Sequence, residues 1–302
     1  MHIEWIALAA AGAAALIVSL WLTRNVRRLD AVSRQIAAGD FEQRIQIDTT
    51  DEIGALSQSF NCMADAVEAK IKTLEASVQE RNDFLSAFTH ELKTPMTSIL
   101  GYSDLLRTGV RDAETRKTAA NYIYYEAKRL EILSRKLMQL MQLTGENEIQ
   151  LCAVPLLSVQ TALRRSLPQD ERIVKIHFPK GVAVRADQDL LVDLLYNLIS
   201  NAVRASASGK IVTVFVQVEE KNCCFCVKDS GCGIPADELS RIQEPFYMVD
   251  KSRARAQNGS GIGLAICKKI CALHSTSLQI ESTLGKGTTV RFMLMVVNDA
   301  ES

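Results

Sequence analysis

Three things are scarce in this sequence of 302 residues: net charge, aromatic side chains and, in its first stretch, charge of either sign. With 35 Lys and Arg against 35 Asp and Glu the formal charge is zero, which argues against a basic nucleic-acid binder and against direct nucleic-acid contact. Aromatic residues make up 6% of the chain, too few for a large all-β sandwich and in keeping with helices rich in Ala and Leu. Prolines number six, all between Pro95 and Pro245, so the first 94 positions carry none and are free to run as helix. What is present is ample apolar material: 47% hydrophobic residues against 23% charged excludes disorder for most of the chain and gives enough core for two or three folding units.

The local charge scarcity is the most informative absence. Residues 1–23 carry one formal charge, Glu4, and the other 69 follow. Ile3 to Leu22 is a run of twenty nearly uninterrupted apolar residues, about 30 Å long as a helix at roughly 1.5 Å per residue, which matches the hydrocarbon thickness of a bilayer. Trp5 and Trp21 fall where interfacial aromatics belong. A cleaved signal peptide competes, since Ala13-Ala14-Ala15 resembles a cleavage site, but such a peptide has its positive charge before the apolar run. Here Arg24, Arg27 and Arg28 follow it. The positive-inside rule then predicts a single-pass anchor in the cell (cytoplasmic) membrane, N-terminus outside, with a few residues external and everything after Arg24 cytoplasmic.

The eight cysteines are thereby expected in a reducing compartment and without disulfides. Cys223-Cys224-Phe225-Cys226 has no second cluster at zinc spacing, so small buried hydrophobes are the better reading.

Beyond the anchor, Leu29, Val32, Ile36 and Ala37 keep helical spacing, and Ile53, Leu56, Phe60, Met63 and Val67 do so again after a short extended stretch. Asp51-Glu52-Ile53-Gly54 opens the second run with acids at the positive end of the helix dipole. Neither stripe can be buried alone, which predicts a parallel four-helix dimer. From about Ile71 to Leu143 two long helical patterns flank Thr108–Asp112 as a hairpin, the second with Ile123, Leu130, Leu133, Leu137, Leu140 and Met141 on one stripe. After Gly145 the pattern changes to helices near Leu156–Leu167, Gln188–Ala205 and Gly261–Ala272. Strands are expected near 172–178, 182–185, 211–218, 223–227, 278–282 and 288–296, which together predict an α+β sandwich.

Pro95 lies inside a convincing helix, where it deprives the Glu91 carbonyl of its partner and bends the axis. His90 stands two positions from both Phe88 and Leu92 of the apolar stripe. At about 100° per residue it is turned roughly 160° from that stripe, toward solvent. Neutral imidazole is a good nucleophile near neutral pH, and Glu91 beside it can orient it or take its proton. Taken alone, an exposed histidine on a kinked helix is more often decoration. Asn197 and Asn201 share one helix face and present amide oxygens of the kind Mg²⁺ takes, although a lone asparagine pair is more often structural. Gly259-Ser260-Gly261-Ile262-Gly263 runs into a helix whose first N–H groups suit a phosphate; alone, it could be a simple turn.

Taken together these segments resemble a known family. The residues around Asp51–Gly54 and Phe60-Asn61-x-Met63 resemble a HAMP linker, without the proline such linkers often carry. The thirteen residues Phe84 to Met96 resemble the phospho-accepting helix of sensor histidine kinases. Asn197–Ala202, Asp229-Ser230-Gly231-Cys232-Gly233, the 259–263 glycines and Gly285-Lys286-Gly287-Thr288 resemble the ATPase superfamily that those kinases share with a heat-shock chaperone, type II topoisomerases and mismatch-repair proteins. The resemblance implies four segments: a membrane anchor (1–23), a HAMP linker (24–76), a dimeric antiparallel hairpin forming a four-helix bundle (77–145) and a two-layer α+β ATP-binding domain (146–302).

It implies a homodimer in which His90 takes the γ-phosphoryl group of Mg²⁺-bound ATP and passes it to an aspartate of a response regulator. Glu91 assists and Thr94 positions water for dephosphorylation, unless Thr94 is a plain solvated residue. ATP binding falls to Asn197, Asn201, Arg204, Asp229 (adenine), Gly231, Gly233, Gly259, Gly261, Gly263 and Thr288. Lys251 and Arg253 belong to a lid over the phosphates or, alternatively, to a solvated basic loop. The metal falls to Asn197 and Asn201. Ala205 stands where relatives commonly place an aromatic against adenine, which predicts an ATP affinity lower by a few fold, about 1 kcal/mol. The rival classes are a signalling scaffold with a dead kinase domain and an ATPase of the same superfamily. With one short external end, the anchor is also expected to read its signal within the bilayer or from a membrane partner such as a sensor or transporter.

Overall fold

The computed structural model describes residues 2–46, 52–109, 112–143, 149–167, 174–206, 209–249 and 260–297. The chain divides into two compact units, Met1–Leu85 and Ser86–Ser302.

In the first unit, α1 (His2–Ala37) is one unbroken helix. It is long and apolar enough to cross a membrane, with a mean hydropathy of 2.1, and its side chains from Ile3 to Trp21 stand 45–82% exposed wherever they are large and described. Gly39, at φ 103°, ends it, a backbone conformation that L side chains resist. The extended connector that follows is tied to α2 (Glu52–Arg107) by polar groups. Asn61 pairs with Ile45 as a strand would, its Oδ1 accepting the Ile45 N–H at 2.9 Å and its Nδ2 donating to the Ile45 carbonyl at 3.0 Å. Arg44 donates to Asp65 at 2.8 Å and to Glu68 at 2.5 Å. Asn61 of the Phe60-Asn61-x-Met63 pattern thus acts as a backbone clamp, and Ile45 and Ala64 are buried beneath it.

The expected boundaries at 23/24 and 76/77 fall inside continuous helices rather than at breaks. No proline or glycine lies near either point to interrupt the backbone ladder. Pro95 also sits within α2, and the helix continues through it to Arg107.

In the second unit the end of α2 turns back at Thr108 and Gly109 into α3 (Ala113–Gln142), capped by the Asp112 carboxylate on the Thr115 N–H at 2.8 Å. Tyr102 and Tyr122 stack across the hairpin at 4.6 Å. Next come β1 (Cys152–Pro155), α4 (Leu156–Ser166), β2 (Val174–His177), β3 (Ala183–Ala186), α5 (Gln188–Ala205), β4 (Val212–Glu219), β5 (Asn222–Lys228), α6 (Gly263–Leu273), β6 (Gln279–Thr283) and β7 (Gly287–Val297). The seven strands among the described residues form one mixed sheet, ordered β1-β3-β7-β5-β4-β2 with β6 beside β7. All pairs are antiparallel except β2 with β4.

β1 was not expected; at four residues ending in proline it is too short to show alternation. The other elements lie within a few residues of their expected places. The core lies between sheet and helices. Leu156, Leu163, Leu191, Leu195, Ile199, Ile266 and Ile270 are each at most 1% exposed, above Phe225 and Phe292, whose rings stack at 4.9 Å across β5 and β7. Cys223, Cys224, Cys226, Cys267 and Cys271 are buried and Cys62, Cys152 and Cys232 exposed. All eight are free thiols.

Candidate active site

Two groups of polar residues stand out in the second unit, one on the hairpin and one in the sandwich. On the hairpin, the His90 side chain is 67% exposed while that of its neighbour Glu91, about 100° further round the helix, is 8% exposed. His90 presents Nδ1 toward Glu91 Oε1 at 3.8 Å. Glu91 Oε2 accepts from Arg129 Nη2 of α3 at 3.4 Å, so a buried carboxylate has a counter-charge nearby. One turn on, Thr94 Oγ1 donates to the His90 carbonyl at 3.3 Å. Phe88, two residues before the histidine, meets Phe246 with ring centroids 6.1 Å apart.

In the sandwich, a cavity of about 430 Å³ opens where α5, β5, α6 and β7 meet. Asn201, Arg204, Asp229, Gly233, Gly261, Gly263 and Thr288 all line it, so seven residues singled out from scattered motifs converge. Asp229 is 6% exposed. Its Oδ1 accepts the Gly231 N–H at 2.8 Å and the Thr288 N–H at 3.2 Å, which leaves Oδ2 available to a base. Burial pushes the Asp229 carboxyl up from its ordinary range, against the pull of those two N–H groups.

The glycines are explained by neighbouring backbone. A Cβ on Gly231 would stand 2.5 Å from the Ala205 carbonyl oxygen, and one on Gly233 2.1 Å from that of Thr283. Gly231 itself is not among the residues that line the cavity. Gly287, at φ 116°, abuts the Asp229 carbonyl, where a Cβ would approach to 2.2 Å. The final glycine motif therefore supports Asp229 from below, while Thr288 faces the cavity.

Asn197 is 9% exposed and spends its Nδ2 on the Asp193 carbonyl at 2.9 Å. A Cβ on Gly263 would sit 3.6 Å from both the Asn197 Oδ1 and the Asn201 Oδ1, so the two amide oxygens converge on the start of α6. Asn201 Oδ1 also accepts from Arg204 Nη2. Ser260 Oγ, at the cavity edge, is buried and has no hydrogen-bond partner among the described residues. An orphaned hydroxyl, converging amide oxygens and the first N–H groups of a helix fit a polyphosphate and its cation. Burial lowers the Arg204 pKa, and burial followed by the nearby Arg204 charge lowers that of Lys136 on α3. Two desolvated cations face the same region.

Ala205 lines the cavity and places no aromatic ring there; Tyr247 also lines it. Lys251, Arg253 and Gly259 lie outside the described residues. Sequence reasoning missed Arg129, Lys136 and Ser260. The first two sit on a helix read only for its apolar stripe, and Ser260 was passed over among glycines.

Residues 186–298 match the family described as histidine kinase-, DNA gyrase B-, and HSP90-like ATPase, residues 80–146 the His Kinase A (phospho-acceptor) domain and residues 17–69 the HAMP domain. The chain belongs to the sensor histidine kinases. It is 31% identical to the signal transduction histidine-protein kinase BaeS of Escherichia coli, over 90% of this chain and 58% of that protein. It is 33% identical to the sensor-like histidine kinase SenX3 of Mycolicibacterium smegmatis, over 74% of this chain and 59% of that one. The chain thus spans under two thirds of the length of these curated relatives. The fold is shared with histidine kinase ThkA, solved in complex with the response regulator protein TrrA, at a TM-score of 0.59 and 19% identity over 75% of this chain and 66% of that one. The HAMP match and the apolar helix together suggest a membrane-anchored sensor kinase.

Proposed function

We propose that this protein is an ATP-dependent protein histidine kinase that phosphorylates His90 and then transfers the phosphoryl group to an aspartate of a response regulator. It works as a homodimer with segments 1–23, 24–76, 77–145 and 146–302 as anchor, HAMP linker, phosphotransfer hairpin and catalytic domain. Arg24, Arg27 and Arg28 hold its N-terminus outside and its catalytic segments in the cytoplasm. The observation that carries the reading is the orientation of His90, exposed with Nδ1 toward a buried carboxylate. A carboxylate on that side favours the tautomer with its proton on Nδ1, which makes Nε2 the nucleophile.

In the reaction, Nε2 attacks the γ-phosphorus in line, the bond from that phosphorus to the bridging oxygen breaks, and ADP leaves with the electron pair. His90 becomes an Nε2-phosphorylated imidazolium whose Nδ1–H faces Glu91, which stabilises the new positive charge or accepts its proton. Asp229 accepts from the adenine amino group, while Arg204, Gly261, Gly263, Thr288 and the Ser260 hydroxyl hold the ribose-phosphate side. Asn197 and Asn201 would hold Mg²⁺, which when bound neutralises phosphate charge. By the family resemblance Lys251 and Arg253 belong to the lid and Gly259 to the glycine turn at the phosphates. Thr94, one turn from His90, positions water when the regulator is dephosphorylated.

The test is incubation of the full chain in membrane vesicles with Mg²⁺ and γ-labelled ATP. The expected result is an acid-labile protein label that disappears in His90→Gln. Free phosphate without protein label would mean an ATPase of the same superfamily, and neither product a scaffold.

A further inference from the structure

The Glu91 carboxylate faces two ways, with Oε1 toward His90 Nδ1 at 3.8 Å and Oε2 held by Arg129 Nη2 at 3.4 Å. The same guanidinium turns its other nitrogen, Nη1, to Glu126 Oε2 at 3.8 Å. That oxygen is buried and has no hydrogen-bond partner among the described residues. Arg129 is 15% exposed at its side chain, between two carboxylates of which one is 8% exposed and the other 24%. Four side chains from two helices form a line: His90, Glu91, Arg129, Glu126.

We propose that Arg129 is a positioning residue for phosphoryl transfer, acting through Glu91, with Glu126 as its anchor. This rests on the reading of His90 as the phosphoryl acceptor and of Glu91 as its partner. Glu91 is the next residue after His90, and on a helix neighbours diverge by about 100°, so its backbone alone does not aim its carboxylate at the imidazole. A charge drawn from the facing helix does so, fixing one oxygen and thereby the direction of the other. Ligand orientation through an outer partner works in the same way in metal sites, where its removal costs about 10- to 100-fold. Here the guanidinium is shared at 3.4 and 3.8 Å, and one buried acceptor is left unsatisfied, an arrangement that costs free energy and keeps Arg129 between its two partners.

The experiment is the initial rate of phosphohistidine formation by the full chain in membrane vesicles across ATP concentrations, for Arg129→Met, Arg129→Lys, Glu91→Gln and the double variants. Arg129→Met is expected to lower kcat roughly tenfold with KM for ATP unchanged. Arg129→Lys, which keeps the charge but not the two-armed fork, is expected to recover part of that rate. In the Glu91→Gln background, neither change at Arg129 should reduce the rate further, because the group it acts through is gone.

A loss that multiplies in that background, a loss confined to KM, or no loss at all overturns the proposal while leaving the kinase reading standing. A full rate in Glu91→Gln alone overturns both the role given to Glu91 and the proposal built on it. Absence of label in the unaltered protein is a failure of the kinase reading itself. Should Arg129→Met not accumulate, Arg129→Lys in the two backgrounds decides by the same criterion.

Discussion

The hairpin and the sandwich of the second unit bury their apolar residues to very different extents. In α5 of the sandwich, seven of 18 residues are buried; in α3 of the hairpin, two of 30, Ala119 and Leu133, are. Met96, Leu100, Tyr122, Tyr124, Tyr125, Met138 and Met141 stand 49–67% exposed along α2 and α3. The sandwich finishes its core within one chain, whereas the hairpin leaves an apolar face exposed. On the proposed function, the nucleotide site belongs to the self-sufficient part and the phosphoryl acceptor to the part that a second copy would cover.

The largest effect is expected from breaking the open side. Leu137 lies on the apolar stripe of α3 and is half-buried in a single chain. Completing the burial of a leucine is worth about 1.5–3 kcal/mol, and a symmetric dimer counts it twice. Leu137→Glu is therefore expected to turn a dimer into monomers by sedimentation and to abolish His90 phosphorylation, while nucleotide affinity changes less than about twofold. A loss of nucleotide binding equal to the loss of label would show that the two parts are not separable.

The reverse change attacks the self-sufficient side. Gly233 has φ 68°, and a Cβ there would come within 2.1 Å of the Thr283 backbone oxygen. Gly233→Ala is expected to destabilise the sandwich by about 2–4 kcal/mol, to lower its melting transition and to remove nucleotide binding, with the dimer retained by sedimentation. An unchanged melt would contradict the close approach.

How far these two sides could be read in advance differs for a physical reason. The α5 boundaries, the β4–β5 turn and the hairpin arms were legible because periodicity and turn residues are local signals. The convergence of Asn201, Asp229, Gly261 and Thr288 on one cavity was accessible through motif resemblance, since nothing local brings residues 201 and 288 together. Arg129 was not legible. Its role comes from facing Glu91 across two helices, 38 positions away in the chain, and a charge on a striped helix reads as a solvated face. Likewise the glycines at 231 and 233, expected among the ATP-binding residues, have the carbonyls of Ala205 and Thr283 as their tightest neighbours.

Acidification separates the two parts with the smallest perturbation, because their aspartates are shifted in opposite directions. Asp112, the cap of α3, is held below the usual carboxylate range by the Thr115 hydroxyl and N–H. Its folded form prefers the charge, so its support is present above the unfolded pKa and fades as pH falls through the lowered folded value. Asp229 is pushed up by burial and is the opposite case. The folded sandwich binds that proton more tightly than the unfolded chain, so falling pH through this window favours the nucleotide-free fold. On the proposed role of Asp229 as the adenine acceptor, nucleotide binding runs against that trend, because an amino group is best met by the charged carboxylate. Its affinity is full above the raised Asp229 pKa and falls as pH drops through it, at a higher pH than for an ordinary aspartate.

On acidification, hydrogen-exchange protection, corrected for the intrinsic pH dependence of exchange, is therefore expected to fall first at the N-terminus of α3 while β5 stays protected. Over the same interval, binding of an ATP analogue should weaken. In Asp229→Asn the analogue should bind more weakly at neutral pH, by about 1–3 kcal/mol, and with the pH dependence removed. A variant that binds weakly but keeps the full pH dependence would assign the titration to another group, with Asp193 on α5 the next candidate, since burial and the nearby Asp189 raise it as well.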